Sequence, residues 1–115
     1  MKAILLSKDL LFITRVKEVG AQCGCQVVVA KSGEALRSAL GEAGPTGVVL
    51  VDLEKPPLGL EQVAVALQGT QGWRVCSFYS HVRHEAAEEA RAALGGDVMP
   101  RSRFVQLLPH ILSSV

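Results

Sequence analysis

The stretch Gly47-Val48-Val49-Leu50-Val51-Asp52-Leu53-Glu54-Lys55-Pro56 constrains the fold more than any other part of this chain. Its aliphatic run follows Gly44-Pro45-Thr46 and precedes Pro56-Pro57, so it is too short and too sharply punctuated for a helix. With no polar alternation, it reads as a strand buried on both faces, which places it in the middle of a parallel sheet covered by helices. The strand ends in a carboxylate. In open α/β sheets, ligands and chemistry gather beyond the carboxyl ends of the strands, making Asp52 the first candidate for a functional acid. An Asp at such a point also serves as a plain turn-former or cap.

Shorter signals alternate regularly on either side. Residues 2–6 read as a first buried strand, after which Ser7 or Asp9 can cap a helix from Leu10 to Gln22. In that helix Phe12, Val16 and Val19 recur at helical spacing, with Leu11 beside them, and Gly20 and Gly24 mark its end. The β-branched segment from Cys25 to Ala30 is a second strand. Ser32 caps a second helix with the stripe Ala35, Leu36, Ala39 and Leu40, ended by Gly41, Gly44 and Pro45. After Asp52, Leu60 to Gln68 repeats apolar residues at three and four positions until Gly69 and Gly72 break it. Trp73 opens a fourth strand, Arg74 to Tyr79, that finishes at Ser80. From His84 to Leu94 the chain is rich in Ala and Glu, predicting a fourth helix with little large apolar surface that packs weakly and moves. Gly95-Gly96 ends it, Asp97-Val98-Met99 forms a fifth strand, and Phe104, Leu107, Leu108, Ile111 and Leu112 define a last helix that Pro109 should interrupt. Strands and helices in alternation, without hairpin signals, predict one α/β domain over residues 1–115. It is a doubly wound five-stranded parallel sheet with five helices and right-handed crossovers.

Composition narrows the function classes. The 115 residues suffice to bury about two-thirds of the unfolded surface without a disulfide or metal. A formal charge of +1 argues against nucleic acid or an anionic membrane as partner. The opening apolar run stops at Ser7, too soon for a signal peptide or a spanning helix, so a cytoplasmic location is expected. Cys23, Cys25 and Cys76 are odd in number and form no C-x-x-C, which argues against a disulfide framework or a zinc site; they read as small buried hydrophobes, Cys23 the more exposed. His81 and His84 lie three apart without a nearby ligand pattern and read as a solvated face, and His110 as a surface residue. The turn Ser7-Lys8-Asp9 lacks the glycines of a phosphate-cradling loop, which disfavours a nucleotide or flavin site.

With these elements in place, the chain resembles a response-regulator receiver domain, a flavodoxin-like fold, over its whole length. The resemblance rests on length, on the five-fold alternation, and on Leu50-Val51-Asp52-Leu53-Glu54-Lys55-Pro56, similar to that family's strand, phosphoacceptor Asp and Pro56-type proline four residues on. It implies the sheet order 2-1-3-4-5. It also implies a site in which two acids after the first strand hold Mg²⁺, and here those positions are Ser7 and Lys8, with Asp9 one step further on. Ser80 matches the hydroxyl that such domains place after the fourth strand. The lysine expected after the fifth strand is replaced in Val98-Met99-Pro100-Arg101, where Arg101 offers a cation one position late, and the family's aromatic switch residue is missing from Gly96-Asp97-Val98.

The resemblance therefore implies a degenerate, stand-alone receiver in bacterial two-component signal transduction. It would be a protein-interaction module rather than an enzyme, with no cofactor. The alternative it implies is a working receiver that takes a phosphoryl group from a histidine kinase onto Asp52 with Mg²⁺. Partners are expected on the face of the fourth helix, fifth strand and fifth helix, beside an exposed Arg101-Ser102-Arg103 cluster, and a homodimer is compatible with this. Lys8 is expected to stand in for the metal by pairing with Asp52.

Overall fold

The computed structural model describes residues 2–42, 47–68, 70, 72–80 and 84–113. The expected breaks at Gly44-Pro45 and Gly69, and His81, lie outside them. Five strands, β1 (Lys2–Leu6), β2 (Gln26–Val29), β3 (Gly47–Asp52), β4 (Trp73–Tyr79) and β5 (Asp97–Pro100), alternate with five helices: α1 (Leu10–Cys23), α2 (Gly33–Glu42), α3 (Leu60–Leu67), α4 (His84–Leu94) and α5 (Arg101–Ser113). All strand pairs are parallel, in the order β2-β1-β3-β4-β5. All six residues of β3 are buried, as its uninterrupted apolar run requires of a central strand.

The period-two alternation of the strands divides the core. Ala3, Leu5, Val48, Leu50, Cys76 and Phe78 face a cluster completed by Phe12, Val16, Phe104 and Leu108 from α1 and α5. Ile4, Leu6, Val49, Val51 and Val75 face Leu36 and Leu40 of α2 and Val63 and Ala66 of α3 on the other side. Burial pushes the Cys76 thiol up to about 12, with the Asp97 charge adding to the effect, so at neutral pH it packs as an apolar group. Cys25 is shifted the same way, again chiefly by burial.

Several local expectations change. Gly20 does not end α1 but lies inside it, where a Cβ would come within 2.6 Å of Val27 Cγ2 and 2.8 Å of the Cys25 carbonyl oxygen; it lets the helix lie down on β2. The helix terminates at Gly24. Gly41 likewise falls within α2, whose start Ser32 does cap, its Oγ accepting from the Ala35 amide at 3.0 Å. α4 is seated more closely than its lack of large residues suggests, because Ala87 and Ala90 are buried and small side chains bring the helix near the sheet. At its end Gly96 takes φ 69°, and a Cβ there would run into the Val75 carbonyl. α5 continues through Pro109. Cys23 is half-buried and its thiol donates to the Pro109 carbonyl at 3.6 Å.

Candidate functional site

Because the strands are parallel, their carboxyl ends deliver Ser7, Lys8 and Asp9 from β1, Asp52 from β3, Ser80 from β4, and Pro100 and Arg101 from β5 to one edge. Asp52 is 1% exposed and Ser7 fully buried. A carboxylate in that position needs donors on both oxygens, since an unsatisfied buried charge is strongly unfavourable. Asp52 has them. Ser7 Oγ donates to its Oδ2 at 2.7 Å, while the backbone amides of Glu54 and Lys55 donate to Oδ1 at 2.9 and 3.2 Å. The last two bonds form a turn in which the side chain holds its own downstream backbone. That loop is pinned further by the Lys8 amide donating to the Lys55 carbonyl at 3.0 Å, the Leu53 amide to the Phe78 carbonyl at 2.9 Å, and the Ser80 amide to Glu54 Oε1 at 3.3 Å. Pro56 is exposed in the same loop.

Asp9 forms the second half of the site. As N-cap of α1 its Oδ1 accepts from the Phe12 amide at 3.2 Å, and its own amide donates to Ser7 Oγ at 3.1 Å. Its Oδ2 accepts from Arg101 Nη2 at 3.3 Å, an ion pair of which neither side chain is more than a third exposed. The Arg101 guanidinium also lies over the Phe12 ring, 4.0 Å from its centroid. Phe12 in turn meets Phe78 at 5.1 Å, and Phe78 stacks on Phe104 at 4.2 Å, so an aromatic cluster supports the pair from beneath. The Phe12 amide above all, then Arg101 and Lys55, hold the Asp9 carboxyl below the usual carboxylate range against the opposing effect of burial.

Two expectations for these residues are overturned. Lys8 does not take the place of a metal: its side chain is exposed, and among the described residues no ion pair joins it to Asp52, whose bonds go to Ser7 and the backbone. Nor does Arg101 belong to an exposed basic cluster. As the first residue of α5 it turns inward to Asp9, leaving Ser102 and Arg103 exposed. Ser7, read from the sequence as a possible helix cap and as a missing acid, is the residue that sequence reasoning undervalued. Its hydroxyl both donates to Asp52 and accepts from Asp9.

Magnesium prefers near-octahedral oxygen ligands, usually carboxylates with waters or phosphate. Here one oxygen of Asp52 holds a hydroxyl and the other holds two amides, while Asp9 already carries a guanidinium that would repel a cation. Among the described residues no group of three or more His, Cys, Asp or Glu could hold a metal. The donor set as arranged does not fit the ion.

No family model matches the chain, and no curated protein matches it. Solved structures do. A response regulator from Thermotoga maritima superposes with a TM-score of 0.75 at 16% identity, covering 99% of this chain and 98% of the other. The BeF3-activated N-terminal receiver domain of RstA from Klebsiella pneumoniae gives 0.74 at 16% identity, covering 97% and 98%. NtrX from Brucella abortus, solved in complex with ADP, gives 0.75 at 14% identity; the match covers 98% of this chain and 26% of that one. At these identities the likeness is one of fold: the chain has the receiver fold, with the strand order that the resemblance implied. Among the described residues no helix is long and apolar enough to cross a membrane.

Proposed function

We propose that this domain is a degenerate receiver of two-component signalling, a module that works by binding other proteins and not by phosphotransfer. The observation that carries this reading is the closure of Asp52. A phosphoacceptor must offer an oxygen to the incoming phosphorus, with cations to offset the transferring charge. Asp52 Oδ2 instead takes the Ser7 hydroxyl at 2.7 Å, and the Arg101 guanidinium, delivered to the same sheet edge, is held by Asp9. Ser80 and Pro100 stand at the same sheet edge, which supports a frame retained while the charged parts are reassigned. The binding surface in this reading is the face of α4, β5 and α5, in the cytoplasm.

Incubation with acetyl phosphate and magnesium, followed by intact mass measurement, should leave the protein unmodified. The second reading, a working receiver phosphorylated on Asp52 by a histidine kinase, is favoured by the position of that carboxylate at the end of the central strand. A gain of one phosphoryl group that disappears in Asp52→Asn would establish it and overturn the first.

A further inference from the structure

On the face just named, α4 and α5 flank the free side of β5, an edge strand, and leave a groove of about 440 Å³ between them. Its charges are unbalanced. Arg74, Arg91 and Arg103 line it against a single acid, Asp97. That acid is engaged by Arg74 at 3.3 Å, and Arg91 is paired with Glu88 at 2.6 Å. Arg103 is exposed and makes no ion pair among the described residues. The excess is local, since the chain as a whole carries only +1. Between the charged rims the floor is apolar and half-buried: Tyr79, Val98, Met99 and Leu107.

We infer that this groove receives an acidic segment of a partner protein, a carboxylate on Arg103 and an apolar side chain on Met99 and Leu107. The proposal rests on the binding-module reading and adds the chemistry of the partner. Charge sets the sign of the ligand, because arginines bind carboxylates through forked, charge-assisted hydrogen bonds. The floor decides between anionic macromolecules. A nucleic-acid backbone calls for a run of cations along its length, whereas one arginine without an ion pair among the described residues, beside an apolar strip, suits a short peptide with alternating acidic and apolar residues.

The full chain, labelled with nitrogen-15, is titrated with three probes: a synthetic Glu/Leu peptide, the same peptide with Lys for Glu, and a single-stranded oligonucleotide. The Glu/Leu peptide should bind saturably, shift the amides of Val98, Met99 and Leu107, and weaken with added salt. Arg103→Glu should weaken it several-fold, while Arg37→Glu on α2 should leave it unchanged. Equal binding of the Lys peptide, tighter binding of the oligonucleotide, shifts centred elsewhere, or no saturation by about 1 mM, the weak limit of useful recognition, would each overturn the inference. Phosphorylation of Asp52 with peptide binding intact would remove the binding-module reading and leave the groove assignment standing. A purified partner that docks on this face yet is not displaced by the peptide would do the reverse.

Discussion

Ser7 and Asp52 lie 45 positions apart, and their hydrogen bond is the interaction on which the site turns. A hydrogen bond to a charged group is worth about 1.5–3 kcal/mol, and removing a donor from a buried carboxylate exposes the full cost of leaving it short of partners. Ser7→Ala should therefore lower stability by about 1.5–3 kcal/mol in urea unfolding, with an unchanged m-value. Asp9 separates two effects. Asp9→Asn keeps a good N-cap and loses only the ion pair, at about 0–1 kcal/mol, whereas Asp9→Ala loses the cap as well, at about 1 kcal/mol more. Because the folded state holds the Asp9 carboxyl below its ordinary value of 3.8, its contribution is present above that value and is lost as pH falls through the lower folded pKa. The difference between wild type and Asp9→Asn should accordingly shrink in acid, and a constant difference from neutral pH down to pH 2 would contradict the pairing. Little of this was legible in the sequence. Composition and spacing place Ser7, Lys8 and Asp9 at the turn, but which of three consecutive side chains points inward depends on how the chain leaves β1. The longest of them, Lys8, points out.

At the scale of elements, small residues decide how closely helices approach the sheet. Gly20 is read from sequence as a helix stop because glycine is poor inside helices, but its role is spatial, with Val27 and the Cys25 carbonyl where a side chain would be. One methyl group there forces α1 away from β2, and overpacking of this kind costs on the order of 1–3 kcal/mol. Gly20→Ala should show that loss in thermal or urea unfolding, while Gly41→Ala in α2, where nothing lies within 4 Å of an added Cβ, should be neutral or stabilising. The same logic corrects α4. An Ala-rich helix looks weakly anchored when only large apolar residues are counted, yet Ala87 and Ala90 are buried because a helix with small side chains sits nearer its neighbours. Helix and strand identity survived such errors because each element carries its own periodicity; the contacts between elements leave no periodic trace.

The whole molecule was more legible than its parts. An uninterrupted apolar run at Val48–Val51, strands alternating with amphipathic helices, and the absence of hairpin turns admit few arrangements once right-handed crossovers are required, and the observed order β2-β1-β3-β4-β5 is among them. The same topology predicts how the domain comes apart. β3 lies between β1 and β4 with every residue buried, and Ala3 to Leu6 of β1 are equally sealed, so their amides are freed only when the sheet itself is lost. β5 has one hydrogen-bonded neighbour, four residues and an exposed residue at each end, so opening it sacrifices far less buried surface. Local stability follows buried apolar contact. Native-state hydrogen exchange should therefore place the amides of Val49, Leu50 and Val51 at the global unfolding free energy, with the same denaturant dependence as unfolding followed by circular dichroism. Val98 and Met99 should exchange faster through an opening with little denaturant dependence. Occupation of the groove along β5 by an acidic peptide should slow exchange at Val98 and Met99 and leave β3 tied to global unfolding. Exchange of β3 faster than β5 would contradict the hierarchy that the strand order imposes.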